Sequence, residues 1–290
     1  NDGFLLALEQ RKGMLGGQKV ELFREDDQLK PDVGVQVVQK LIQKERVHVV
    51  VGVTASNVIN AVFPRIVDAN VVFLGTNGGP APFAGERCSP LFVSTAFQND
   101  GAHEAMGQYA QDRGLKRVLV MAPNYQAGKD AIAGFKRFYK GTVVEELFPA
   151  LGQQDFAAEF AQVRGAKPDA VFAFMPGSMG INFIKQYRQA GLAKDVPLIS
   201  SFTVDELALP AVQDAALGMV TATHWTSAID NPATRKFVAD FEARFKRTPS
   251  MYAAQGYDAA VLLDQGITRA GADWSKPAEL AKALRAGRFN

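Results

Sequence analysis

The chain has 290 residues, 47% hydrophobic and 21% charged, a balance ordinary for a globular protein and a length suited to two domains. Its 32 basic and 30 acidic residues are spread along the chain, so the charge pattern points to neither nucleic acid nor an anionic membrane. No run of about 18 apolar residues is available to span a bilayer, and the single cysteine, Cys88, excludes an internal disulfide.

From Asp2 to Leu8 the sequence reads as a helix at once, without a Met start, a leader or a strand before it. The last residues, Ala286 to Asn290, close no element. The expectation is a chain trimmed at both ends, from an exported precursor that has lost its signal. Strands are expected at 20–23, 47–51, 71–74, 91–94, 117–121, 143–148, 170–174, 197–200 and 219–222. Helical spacing lies between them: Val33, Val37 and Leu41 recur at four, flanked by Val38 and Ile42, and Phe183, Ile184 and Tyr187 do likewise. Strands alternating with helices imply parallel sheets covered on both faces. Nine strands without a Pro/Ser-rich linker suit two doubly wound lobes joined by several short crossings, and ligands then bind at the carboxyl ends of strands.

The stretch from Val49 to Asn57 carries the sharpest signal. An apolar run ends in Gly52 and passes through Thr54 and Ser56 into a helix marked by Val58, Ile59, Val62 and Ile66. The N–H groups of such a first turn, with the helix dipole, favour an anion. A second apolar run, Val71 to Leu74, ends in Gly75-Thr76-Asn77-Gly78-Gly79, whose backbone can approach a ligand closely. Two such ends side by side make a carboxylate pocket. Ser56 and Asn57 equally suit helix capping, and Asn77 suits a left-handed turn.

Asp26-Asp27-Gln28, the 50–57 stretch, Ala122-Pro123-Asn124-Tyr125-Gln126-Ala127-Gly128-Lys129-Asp130, Gly152-Gln153-Gln154-Asp155-Phe156 and Lys167-Pro168-Asp169-Ala170 resemble, in that order, the periplasmic leucine/isoleucine/valine-binding proteins, the type I solute receptors of ABC importers. The resemblance covers nearly the whole chain. It implies an α/β fold of two Rossmann-like lobes, doubly wound parallel sheets joined by a three-crossover hinge. Lobe 1 would be 1–97 plus 224–290 and lobe 2 would be 98–223, with the ligand cleft between them and closure on a small carboxylate. It also implies a periplasmic monomer that serves an ABC permease, with no catalytic residue, cofactor or metal. The family has a further strand ahead of the position of Asp2, which agrees with trimming.

By the same resemblance Ser56 helps hold the ligand carboxylate, and Thr76, Asn77, Gly78 and Gly79 complete that site. Phe97 and Gln98 fall at the first crossing, where ligand contacts occur. Ser178 falls at a second-lobe ligand position, and Met179 beside it is a further candidate. After Ile199-Ser200-Ser201 the amino-acid receptors carry a glutamate that pairs with the ligand ammonium, and here the residue is Phe202. A buried ammonium without a carboxylate is costly. Asp205 stands three residues on, at the expected start of a helix. The segments 172–183 and Ser200-Ser201-Phe202-Thr203 resemble the subgroup that imports aromatic acids, with benzoates and hydroxycinnamates as the expected class. Phe202 also suits ordinary core. Asn124 and Tyr125 suit either the site or a surface turn, and Trp225, after His224, suits either hinge packing or ligand stacking. Tyr252, Gln255 and Tyr257 read as helix packing.

Metal and nucleophile chemistry find no support. His48, His103 and His224 are scattered, Cys88 has no ligand-spaced partner, and phosphate-loop, dinucleotide and Gly-x-Ser-x-Gly patterns are absent. Three alternatives remain: a branched-chain amino-acid receptor with Asp205 in place of the glutamate, a cytoplasmic sensor on the same fold, and a small-molecule enzyme.

Overall fold

The structure is a computed structural model that describes residues 1–288. In chain order the elements are α1 (Asp2–Gln10), β1 (Met14–Leu15), β2 (Gln18–Lys19), α2 (Pro31–Gln43), β3 (Val49–Gly52), α3 (Ser56–Asp68), β4 (Val72–Gly75), β5 (Phe92–Ser94), α4 (Gly101–Asp112), β6 (Arg117–Met121), α5 (Gln126–Phe138), β7 (Thr142–Leu147), α6 (Ala157–Ala166), β8 (Ala170–Ala173), α7 (Gly177–Gln189), α8 (Leu192–Asp195), β9 (Leu198–Ser201), α9 (Leu209–Val212), β10 (Val220–Ala222), α10 (Pro232–Phe245), α11 (Met251–Ala270) and α12 (Pro277–Arg285). They divide into two compact units, Asn1–Gln98 with Ser227 onward, and Asn99–Thr226.

In the first unit β3, β4 and β5 form a parallel sheet in that order. All four residues of β4 are buried, as its central place requires. Their side chains alternate between faces. Val72 and Leu74 join Phe4, Leu263 and Leu284 on one side, while Phe73 joins Val58, Val62 and Phe63 of α3 on the other. The register aligns Gly52 with Gly75, and Gly75 with Ser94, so the three strands end level.

The expected strand at 20–23 does not form. Gly16 and Gly17, both at positive φ, turn the chain so that β1 pairs with β2 instead, and residues 20–23 carry no strand assignment. Val20, Leu22 and Phe23 make a short apolar run, but pairing needs a neighbouring strand edge. The other eight expected strands are present, most with ends shifted by a residue or two.

The second unit holds a five-stranded parallel sheet, in the order β10-β9-β8-β6-β7. Every residue of β8 and β9 is buried. On one face Phe156, Phe160, Phe183 and Tyr187 pack over Leu119, Val171 and Leu198. On the other, Phe135 of α5 stacks on Phe172 with ring centroids 4.4 Å apart. Here α4 approaches α5 closely: a Cβ on Gly107 would lie 2.1 Å from the carbonyl oxygen of Phe135, so any larger residue would force the helices apart.

Candidate functional site

At the end of β3 the backbone takes two unusual steps. Gly52 has φ +122° and Val53 has φ +64°. The left-handed region is costly for a β-branched residue, and such strain concentrates where a fold positions a functional loop. The turn delivers Ser56 as the first residue of α3, and Ser56 is 2% exposed. The N-cap Ala55 supplies no side-chain acceptor to the first turn, and the first turn of a helix generally suits an anion. The buried Oδ1 of Asn57 has no hydrogen-bond partner among the described residues.

The loop after β4 packs against this turn. A Cβ on Gly78 would come within 2.8 Å of the Thr54 carbonyl oxygen, and one on Gly79 within 2.1 Å of the Phe97 carbonyl oxygen. Glycine is required at both for the three segments to meet. Asn77 Nδ2 donates to Gln255 Oε1 at 3.0 Å, which fixes its amide to α11. Gln255 was expected only to pack its helix; nothing in the sequence ties it to a residue 178 positions away. Thr76, Asn77 and Gln255 also line a cavity of about 540 Å³ that runs along β3, past Val20, Val50 and Val53. Phe97 is partly buried and Gln98 exposed.

In the second unit aromatic residues gather where strands end. Tyr125, at the N-cap of α5, stacks over Phe174, just beyond β8, with centroids 6.4 Å apart and planes at 20°. Phe202 follows β9 at φ +54° and is 7% exposed. A bulky residue in the left-handed region is a genuine outlier. Its N–H donates to the Ala222 carbonyl at 3.1 Å, which ties the strained residue to the end of β10. Trp225 is partly buried, and its carbonyl accepts from Thr223 Oγ1 at 3.0 Å.

Asn124 and Ser178 are exposed, at the turn before α5 and the first turn of α7. Two further expected site residues are buried in packed surroundings. Met179 is 2% exposed within the cluster of Phe183, Tyr187 and Met175, because its place on α7 faces the sheet. Thr203 is also buried. Its hydroxyl oxygen accepts from the Met175 N–H at 3.0 Å and lies 3.2 Å from the carbonyl oxygens of Ala173 and Ser201, so backbone groups of the β8 and β9 ends occupy it.

Asp205 does begin a turn. Its Oδ1 accepts from the N–H groups of Leu207 and Ala208 at 3.0 and 2.8 Å. Burial raises its pKa above the ordinary carboxylate value, and these backbone bonds partly offset the rise. His103 and Phe174, absent from the expected site, belong to the ring cluster. His103 sits in the first turn of α4, 5.1 Å from Phe174 and 5.7 Å from Phe202. Only proximity in space connects these residues, and sequence spacing carries no trace of it. His48 precedes β3, exposed, against Trp274 at 5.0 Å. No group of three or more His, Cys, Asp or Glu side chains suited to a metal occurs among the described residues, and no helix among them is long and apolar enough to cross a membrane.

Known proteins share this architecture. A solute-binding protein of an ABC transporter from R. palustris, in complex with benzoate, is 32% identical and superimposes with a TM-score of 0.94, over 99% of this chain and 80% of that one. A second, from Rhodopseudomonas palustris BisB5 in complex with 3,4-dihydroxybenzoic acid, is 30% identical with a TM-score of 0.89, over 98% of this chain and 77% of that one. The Leu/Ile/Val-binding protein homolog 6 of Brucella melitensis biotype 1 is 29% identical over 233 residues, 78% of this chain; the match spans 59% of the relative's length. The sequence pattern described as periplasmic binding protein matches residues 1–290, and with the parallel α/β architecture this establishes that the chain belongs to the periplasmic binding protein family.

Proposed function

We propose that the chain is the extracytoplasmic receptor of an ABC importer, that it works without catalysis, and that its cargo is a small aromatic carboxylate of the benzoate or hydroxycinnamate type. In this reading Ser56, Asn77, Gly78 and Gly79 hold the carboxylate through backbone N–H groups and short polar side chains. Tyr125, Phe174 and Phe202 give the ring an apolar wall, where aromatic contacts bury area and prefer offset or edge geometry. Closure around the ligand prepares it for a membrane permease.

One observation carries the choice of ligand. The position at which the resemblance expects an ammonium-pairing glutamate holds Phe202, and the neighbouring Asp205 already accepts two backbone N–H groups. An amino acid bound there would bury its ammonium poorly paired, a cost of several kcal/mol. An aromatic acid brings no ammonium. The benzoate and dihydroxybenzoate bound to the two similar receptors support the same class. The Leu/Ile/Val-binding name of the Brucella relative favours the second reading, a branched-chain amino-acid receptor.

A thermal-shift panel tests the choice, because a ligand that binds only the folded state raises the melting temperature. Benzoate, 4-hydroxybenzoate and p-coumarate are expected to raise it, while leucine, isoleucine and valine leave it unchanged. The opposite pattern selects the second reading.

A further inference from the structure

The ring cluster of the second unit is built around one polar ring. His103 is 2% exposed, and its imidazole lies 5.1 Å from Phe174 and edge-on to Phe202 and Phe172 at 5.7 and 5.9 Å. Its Nδ1 is sealed from solvent and has no hydrogen-bond partner among the described residues. Buried polar groups are nearly always paired, and an unpaired one carries a desolvation cost. A phenylalanine would fill the same space without that cost. The imidazole is therefore explained by a partner that arrives with the ligand.

Neighbouring strand ends hold the surroundings of the imidazole in place. Ser201 Oγ donates to the Ala102 carbonyl at 3.3 Å, which ties the end of β9 to α4 immediately before His103. The next residue, Phe202, is held at φ +54° with its ring nearly perpendicular to the imidazole. Burial keeps the imidazole neutral, with a pKa pushed down to about 3. A neutral imidazole has one N–H and one lone pair, so it can bond a hydroxyl in either sense.

We propose that His103 is a specificity-determining residue that bonds the ring hydroxyl of a hydroxylated aromatic acid and so separates 4-hydroxybenzoate-like ligands from unsubstituted benzoate. This rests on the receptor reading above. The bound ligand's hydroxyl pairs the ring nitrogen that has no partner among the described residues. An apolar ligand gains nothing there, since the nitrogen stays unpaired beneath it.

Calorimetry with benzoate and 4-hydroxybenzoate on the wild type, His103→Phe and His103→Gln tests the proposal. The wild type is expected to prefer 4-hydroxybenzoate by roughly tenfold, the size of one neutral hydrogen bond. His103→Phe should bring the ratio close to one, while His103→Gln, which keeps a donor and an acceptor, retains part of the preference. Imidazole ¹⁵N shifts of the labelled wild type provide a readout that needs no variant: the His103 ring nitrogens should move on adding 4-hydroxybenzoate and hold still with benzoate. An unchanged ratio in His103→Phe, an equal loss of both ligands, or silent ring nitrogens overturns the proposal. A wild type that binds leucine and neither aromatic acid overturns the receptor reading first, before any variant is made.

Discussion

Phe202 meets the imidazole of His103 edge to face, with ring centroids 5.7 Å apart and planes at 85°. The contact links a strained strand end to the first turn of α4, and it makes both residues accessible to stability measurements that need no ligand.

Acid should expose the buried imidazole. In the unfolded chain His103 takes its proton near 6.5, whereas burial holds the folded ring neutral until about pH 3. Between those values the unfolded state binds more protons, so stability present above pH 6.5 is lost as pH falls, at up to about 1.4 kcal/mol per unit. Asp258 has the opposite sign: burial raises its pKa to about 6, so its contribution favours the folded state as pH falls from 6 toward 3.8. Urea denaturation of the wild type and His103→Phe at pH 7 and pH 4.5 cancels that background. The wild type should lose markedly more stability than the variant. Equal losses would mean that His103 titrates normally in the folded protein.

The backbone at Phe202 should prefer glycine once the ring is gone. Removing a buried phenylalanine ring costs about 3–5 kcal/mol, while the left-handed φ of +54° costs a non-glycine residue about 1–2 kcal/mol. Phe202→Gly is therefore expected to be more stable than Phe202→Ala by about 1 kcal/mol. Chemical denaturation of the two variants checks this, and a less stable glycine variant contradicts the strain.

Asp130 anchors the start of the second unit. Its carboxylate accepts from Asn99 Nδ2 at 2.9 Å and Gln126 Nε2 at 2.8 Å, and the residue is 7% exposed. Asp130→Ala should cost about 2 kcal/mol, because two amide donors lose an acceptor in a largely buried place. A change below about 0.5 kcal/mol would mean that water replaces the carboxylate readily.

Ser56→Ala should weaken aromatic-acid binding roughly tenfold or more, the value of a hydrogen bond to a charged group. Circular dichroism should show the helix content intact, since Ser56 lies inside α3 rather than at its N-cap. An unchanged dissociation constant would move the carboxylate elsewhere.

The sheets were legible because parallel strands buried on both faces read as unbroken apolar runs, as at Val72–Gly75 and Ala170–Ala173. Residues 20–23 misled for the opposite reason: local pattern cannot reveal that a strand lacks a neighbour to pair with. At the site, glycine and small polar residues after strands marked the loops that meet around Gly78 and Gly79. The sequence could not reveal φ at Val53 and Phe202, which tertiary packing imposes. Nor could it bring Asn77 to Gln255, or a lone histidine on α4 into the Phe174 and Phe202 rings. Those contacts exist only after the chain folds.

The account stands on what the protein binds. Isothermal titration of the ligand-free protein with benzoate, 4-hydroxybenzoate, p-coumarate and leucine measures this directly. The account predicts saturable heats for at least one aromatic acid and none for leucine at the same concentrations. Tight leucine binding with silence from all three aromatic acids would contradict it.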